Sequence, residues 1–294
     1  MKDSFIAKIL PEDLTEYFTN TLEEIRIRKN KPVIFLYPER EIITKKIFYR
    51  NDINEFLEKI TQSSIYSYYD DIANGFITVT GGHRVGLCGD AVYENEKLKS
   101  LRDITGINIR ISKEMKGIGE GVFSKITANK NIGNTLVIAP PGIGKTTLLR
   151  DITRLISDNI EKTRLALIDE RNEISASFMG NTQNDVGLRT DVFCGYKKYD
   201  GIMRALRSMS PSVIVVDEIG SEEDVEAIKK CFYSGVKIIA SVHGESIDDV
   251  FGNLSALIKE NVFDFFVTLK KDSTYERKCI IDSREEVFNK KGRE

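Results

Sequence analysis

Thr135-Leu-Val-Ile-Ala-Pro-Pro-Gly-Ile-Gly-Lys-Thr-Thr-Leu-Leu149 decides how the rest of the chain is read. Leu136 to Ala139 is an apolar run without polar alternation, as a parallel strand covered on both faces requires. Beyond the loop, Leu148, Leu149, Ile152, Leu155 and Ile156 recur at helical spacing, so the glycines sit between a buried strand and the first turn of a helix. At such a junction unpaired backbone N–H groups converge on the positive end of the helix dipole. The segment Pro141-Gly142-Ile143-Gly144-Lys145-Thr146-Thr147 is therefore expected to wrap a nucleoside triphosphate, Lys145 neutralising the outer phosphates and Thr146 holding Mg2+. The usual pattern, G-x-x-x-x-G-K-[ST], has a first glycine where this chain has Ala139, followed by two prolines that stiffen the loop entry without donating hydrogen bonds.

Downstream, strand-like and helix-like segments alternate. Leu165-Ala-Leu-Ile168 ends in Asp169-Glu170, Val213-Ile-Val-Val216 ends in Asp217-Glu218, and Val236 to Ala240 leads to His243, with further strands in 262–269 and 278–281. Helical spacing runs through Ile202, Ala205, Leu206 and Met209 and through Val225, Ile228 and Phe232. Alternating buried strands and helices predict a mostly parallel, doubly wound α/β sheet with its ligand at the carboxyl ends of the strands.

The polar residues fall at those ends. Asp217 is placed to reach the Mg2+ shell held by Thr146. Glu218, one residue on, suits a general base or water-positioner for attack on the γ-phosphorus. Asp169 and Glu170 either bind the water network round the metal or cap the following turn. His243 either donates towards the γ-phosphate or is structural. Phosphoryl transfer spreads negative charge that an arginine from a neighbouring subunit can meet. The candidates are Arg189, Arg204 and Arg207 between the acidic strand ends, and Arg84, Arg102 and Arg110 nearer the N-terminus. There is no Leu-Ser-Gly-Gly-Gln-like stretch and no Asn-Lys-x-Asp, which argues against a transporter ATPase of the ABC kind and against a guanine-specific enzyme.

Residues 1–115 read as a smaller α+β domain, and 116–294 as the nucleotide domain. In the first, Pro11 to Phe18 is expected to open a helix, Ile25, Ile27 and Val33 to Tyr37 to form two strands, and Asp52-Ile-Asn-Glu55 to cap a helix carrying Ile53, Phe56, Leu57 and Ile60. A strand in 75–80, a turn at Gly81-Gly82 and hairpin-like strands to Ile111 follow. The charged, glycine-rich stretch 113–121 is the expected hinge, and Val122, Phe123 and Ile126 the expected next helix. The tail from Asn289 is expected to fray.

The 294 residues carry a formal charge of −2, which supplies no global field for nucleic acid or an anionic membrane. No apolar run approaches a bilayer span and the N-terminus lacks a signal peptide's apolar region, so the expected location is cytoplasmic. Cys88, Cys194, Cys231 and Cys279 are far apart and form no C-x-x-C pair, which predicts reduced, mostly buried thiols instead of a metal site or disulfides.

Several stretches together resemble the stage III sporulation protein AA family: Glu24-Ile-Arg-Ile-Arg28, Gly81-Gly-His-Arg-Val-Gly86, Leu101-Arg-Asp-Ile104 with Asn108-Ile-Arg-Ile111, Pro140 to Asp151, Ile168-Asp-Glu-Arg-Asn-Glu-Ile174 and Val216-Asp-Glu-Ile-Gly220. The nucleotide domain of that family is similar to the ATPases of type II and type IV secretion. The resemblance implies a RecA-like P-loop core, ATP and Mg2+ as cofactors, and a smaller N-terminal domain clamping nucleotide at the hinge. It implies a homohexameric ring whose N-domain arginines, Arg84 and Arg110 among them, reach a bound nucleotide. Asp169-Glu170 then resembles the family's acidic box, and His243 its histidine after the next strand. Implied partners are membrane proteins of the channel built between mother cell and forespore, on the mother-cell side, with membrane association only through them. The reading Asp217-Glu218-Ile-Gly, where secretion ATPases commonly have Gly-Glu-Ile-Arg, bears with Ala139 on the rate of turnover. The functional alternatives are an ATPase powering or organising that complex, a nucleotide-dependent assembly module with little turnover, and a RecA-like DNA motor.

Overall fold

The computed structural model describes residues 4–61, 76–113, 115–128, 131–252, 254–271 and 277–291. The chain forms two compact units, one of Met1–Lys113 with Ala176–Asn184, the other of Glu114–Ser175 with Asp185–Glu294.

In the first unit α1 (Phe5–Ile9) and a 3-10 helix (Glu12–Tyr17) precede β1 (Glu24–Arg28), β2 (Lys31–Tyr37), β3 (Arg40–Phe48), α2 (Arg50–Ile60), β4 (Phe76–Val79), β5 (His83–Glu94) and β6 (Lys97–Arg110). The strands pair antiparallel in the order β3-β2-β1-β6-β5-β4. Period-2 alternation drives Ile25, Ile27, Val33, Phe35, Val85, Ile107 and Ile109 into one core, closed by Ile53, Phe56, Leu57 and Ile60 of α2. Residues alternating with these, Arg26, Arg28, Arg84, Asn108 and Arg110, leave the core side of their strands. Two local expectations change. The stretch expected as an α-helix over Pro11–Phe18 is a 3-10 helix because it buries only Leu14 and offers no apolar stripe to hold α-geometry. Helix α2 starts earlier than the Asp52 box predicts. Asp52 supplies the reciprocal half of the cap, its carboxylate accepting the Tyr49 N–H at 2.7 Å.

The 176–184 segment is an excursion with no signal in the periodicity. Phe178 and Asn181 exchange backbone hydrogen bonds around Met179 and Gly180, both at positive φ, and Phe178 packs on the core of the first unit. Gln183 Oε1 accepts the Gly81 N–H at 2.8 Å.

The second unit contains α3 (Glu120–Ile126), β7 (Thr135–Ala139), α4 (Lys145–Asn159), β8 (Leu165–Asp169), β9 (Thr190–Cys194), α5 (Lys198–Ser208), β10 (Val213–Val216), α6 (Glu222–Tyr233), β11 (Lys237–His243), α7 (Ile247–Phe251), α8 (Ser255–Lys259), β12 (Phe265–Lys271), β13 (Arg277–Ser283) and α9 (Arg284–Lys291). Its seven strands lie in the order β13-β12-β7-β11-β10-β8-β9, parallel except for β13 at one edge. Successive residues of the central strands feed two cores. Leu136, Ile138, Ile168, Ile214 and Val216 join α5 and α6 on one face, while Val137, Ala139, Leu167, Val215 and Ile239 join α3 and α4 on the other. Helices on both faces explain why these strands read as unbroken apolar runs. Strand β9, rich in polar and partly exposed residues at the sheet edge, lacks that run and escapes sequence reading. Helix α9 continues to Lys291, beyond the point where the tail is expected to fray.

All four cysteines are free. Only Cys231 is buried, its thiol pushed up to about 12 by desolvation, whereas Cys88, in the part of β5 that extends past β4, and Cys279, on the edge strand β13, are exposed. The expectation of mostly buried thiols is corrected accordingly. No helix among the described residues is long and apolar enough to cross a membrane.

Candidate nucleotide site

Strand β7 lies between parallel neighbours β11 and β12 and ends at Ala139, which pairs in register with His243. Ala139 is fully buried in the core shared with Ile143 and Leu148, so its methyl group packs inside the sheet instead of narrowing the loop. Gly142 and Gly144 then take φ of +74° and +101°, the left-handed region where a Cβ is strained. Gly144 caps α4, and the first turn of that helix holds no acidic residue, leaving its N-terminal field free for an anion. Lys145 opens the helix. Its side chain is buried and its Nζ has no hydrogen-bond partner; the nearest carboxylate oxygen, Asp217 Oδ1, is 3.7 Å away. A buried ammonium in that condition is costly.

Parallel register brings the other strand ends to the same edge. Val216 pairs with Ile168 on one side and with Ala240 on the other, so Asp217, Asp169 and the end of β11 leave the sheet together. Asp217 Oδ1 accepts the Ser241 hydroxyl proton at 2.5 Å. Glu218 has φ +52°, and its N–H donates to Ser241 Oγ at 2.9 Å. Its carboxylate is gripped from two sides, with Oε1 2.9 Å from His243 Nε2 and Oε2 3.2 Å from Arg171 Nη1. Thr146 and Asp217 offer the hard oxygens that Mg2+ takes beside phosphate and water, and a cage of three or more His, Cys, Asp or Glu is absent among the described residues.

Asp169 takes the capping role of the two left open by sequence. Its Oδ1 accepts from the N–H groups of Glu173 (2.9 Å) and Ile174 (3.3 Å), and its Oδ2 from the N–H (2.8 Å) and hydroxyl (2.7 Å) of Ser175. With both oxygens occupied and the residue 1% exposed, its lone pairs are spent on the turn, which corrects the expectation that it serves the metal. Glu170 is paired with Lys198 on α5.

The arginines expected to serve the phosphates are dispersed. The guanidinium of Arg204 lies 5.9 Å from the ring centroid of Tyr196, in a surface groove with Phe193, Tyr199, Met203 and Arg207, so the structure does not join it to Lys145 and Glu218. Arg189 donates to the Ser157 and Asp158 carbonyls at the end of α4. In the first unit Arg84 and Arg110 are direct cross-strand partners and line one pocket of about 270 Å3 with Phe76, Gly86 and Asn108. Arg84 covers the Phe76 ring at 4.6 Å, Arg110 lies 3.7 Å from Glu24, and the Asn108 Oδ1 is buried without a hydrogen-bond partner. Like charges set directly opposite each other repel, and Glu24, the cross-strand partner of Arg110 on β1, offsets part of that charge.

Four further residues hold the site without having been assigned a role from sequence. Arg150, on α4, donates to the carbonyls of Glu173 and Ile174 at 2.7 Å each, completing the turn that Asp169 caps. Asp151 accepts the Gly119 N–H at 2.8 Å and pairs with Arg154. Arg171 and Ser241 are the others. Arg150, Asp151 and Arg171 lie within stretches that carry the family resemblance, which attach no role to them, and Ser241 is marked only by its nearness to His243.

Residues 2–288 match the family model described as sporulation stage III, protein AA. Stage III sporulation protein AA of Bacillus subtilis (strain 168) is 37% identical over 278 residues, which cover 90% of each chain. Among solved structures, the ATPase DotB of Legionella pneumophila superposes with a TM-score of 0.62 at 15% identity, covering 97% of this chain and 82% of that one. The pilus retraction motor PilT with bound ADP does so at 0.62 and 15%, covering 96% and 86%. At that identity the likeness is one of fold, the α/β fold that these two structures share with this chain.

Proposed function

The chain belongs to the sporulation stage III, protein AA family, and from that premise we propose that it binds ATP with Mg2+ and hydrolyses it to power or organise a membrane-associated complex of endospore formation. The observation that carries this reading is the buried Lys145 ammonium without a hydrogen-bond partner, at the start of a helix whose first turn is free of acid. Phosphate oxygens supply what that ammonium lacks. Thr146 and Asp217 would hold Mg2+, which when bound neutralises phosphate charge. Glu218 is the group that takes a proton from water, and His243 and Arg171 fix its two oxygens, holding the carboxylate in one orientation. Arg84 and Arg110 are assigned to an anion, on the grounds that both line one pocket. The chain is further proposed to work as a homo-oligomer, a hexamer by analogy of fold, on the cytoplasmic side of a membrane reached through protein partners.

The test is a pair of variants. Lys145→Ala is expected to abolish ATP binding measured with a fluorescent nucleotide. Glu218→Gln is expected to bind as the wild type does while turnover falls at least 100-fold, the scale of losing a positioned base. Full turnover in Glu218→Gln would remove Glu218 from its role.

A further inference from the structure

We propose that Ser241 is a positioning residue for both carboxylates of the acidic strand end, setting Asp217 for the metal and Glu218 for water through one hydroxyl. The inference rests on the ATPase reading above. Ser241 lies in β11, between the P-loop strand and the strand that delivers Asp217, and is fully buried. A hydroxyl has one proton and two lone pairs. Here the proton goes to Asp217 Oδ1 at 2.5 Å and a lone pair takes the Glu218 N–H at 2.9 Å. The backbone carbonyl of the same residue accepts the Ile219 N–H at 2.8 Å. Three successive residues, Asp217, Glu218 and Ile219, are thus tied to one serine.

The tie has a job to do in each case. Asp217 Oδ1 lies 3.7 Å from the Lys145 ammonium, and without a second anchor the carboxylate is free to rotate onto that cation and away from the metal. Glu218 holds φ +52°, a conformation that a glutamate abandons unless its neighbours fix it. It is fixed from two sides, by the N–H bond to Ser241 on the backbone side and by the His243 and Arg171 pairings on the carboxylate side. Removing the hydroxyl releases the first and leaves the second, so the carboxylate stays charged and paired but turns on a looser backbone. Ser241 is fully buried with its hydroxyl committed to Asp217 and Glu218, so its effect is through the two acids.

The experiment compares Ser241→Ala and Ser241→Thr with wild type, reading ATP binding with and without Mg2+, the Mg2+ concentration for half-maximal binding, and kcat against KM. Ser241→Ala is expected to bind Mg-free ATP within about twofold of wild type, to need roughly tenfold more Mg2+, and to lose roughly 10- to 100-fold in kcat with KM little changed, the scale of one charge-assisted hydrogen bond. Ser241→Thr keeps the hydroxyl and is expected to recover most of both. A merely structural role moves thermal stability and leaves the Mg2+ requirement alone. Wild-type Mg2+ dependence and kcat in a folded Ser241→Ala protein overturn the proposal. If wild type binds Mg-ATP without turning it over, hydrolysis falls and the Mg2+ shift still judges Ser241; a wild type that binds no nucleotide overturns both readings.

Discussion

Lowering the pH from 7 to 5 is expected to unload about 2 kcal/mol of stability from a single imidazole, that of His83. His83 is buried at the start of β5, beside the Gly81-Gly82 turn. Its Nδ1 accepts the Ser112 N–H at 3.0 Å, which leaves the remaining ring proton on Nε2, 3.2 Å from Ser4 Oγ. The neutral ring therefore satisfies both neighbours, whereas a second proton on Nδ1 would face an N–H. Desolvation lowers the folded pKa from 6.5 to about 4. The sign follows from proton binding: between the two values the unfolded chain takes up a proton that the folded chain refuses, so stability is fully present above about 6.5 and drains as pH falls towards 4. A shift of that size is worth about 3 kcal/mol in all, of which about 2 kcal/mol is lost by pH 5. The assay is urea unfolding of wild type and His83→Gln at pH 7 and pH 5, followed by far-UV circular dichroism and tyrosine fluorescence, since the chain has 11 tyrosines and no tryptophan. Other titrating groups act in both proteins and cancel in the difference. The stability gap between the two proteins should shrink by about 2 kcal/mol on acidification; a gap that stays constant refutes the buried, neutral assignment.

Asp169→Ala should cost about 3 kcal/mol in unfolding experiments, because it removes the buried carboxylate that accepts from the N–H groups of residues 173–175, while leaving the half-saturating Mg2+ concentration unchanged; a raised Mg2+ requirement would return Asp169 to the metal. Gly187→Ala should cost roughly 2–3 kcal/mol, since φ is +90° there and a Cβ would stand 2.4 Å from the Ser157 side chain on α4. Its melting temperature should fall by several degrees, and a variant as stable as wild type would count against that close packing.

The parts of this molecule legible in the sequence are those where one local pattern has one physical cause. Leu136 to Ala139 and Val213 to Val216 are continuous apolar runs because helices cover both sides of their sheet, and each run ends at the edge where Lys145 and Asp217 meet. Strand β9 was illegible for the opposite reason, being a half-exposed edge with polar residues mixed in. Roles that depend on who stands opposite lie beyond periodicity. Asp169 and Asp217 look alike in sequence, each closing an apolar strand, yet one spends its oxygens on backbone N–H groups and the other keeps its carboxylate beside Lys145. Ser241 gains its role only from the register that sets β11 against β10. The same holds for Arg204, whose position between two acidic strands in sequence suggested the phosphates and whose helix carries it to an aromatic groove.

The excursion at 176–184 makes the first unit a discontinuous piece of chain. A single cut after Lys113 frees neither unit whole, because Phe178 and Gln183, which complete the first unit, are encoded after the P-loop. In genetic terms the two units are not beads that one recombination event exchanges. A crossover after Lys113 would pair a new N-terminal sheet with the old 176–184 segment, so the Gly81-Gly82 turn and that segment form one block for exchange.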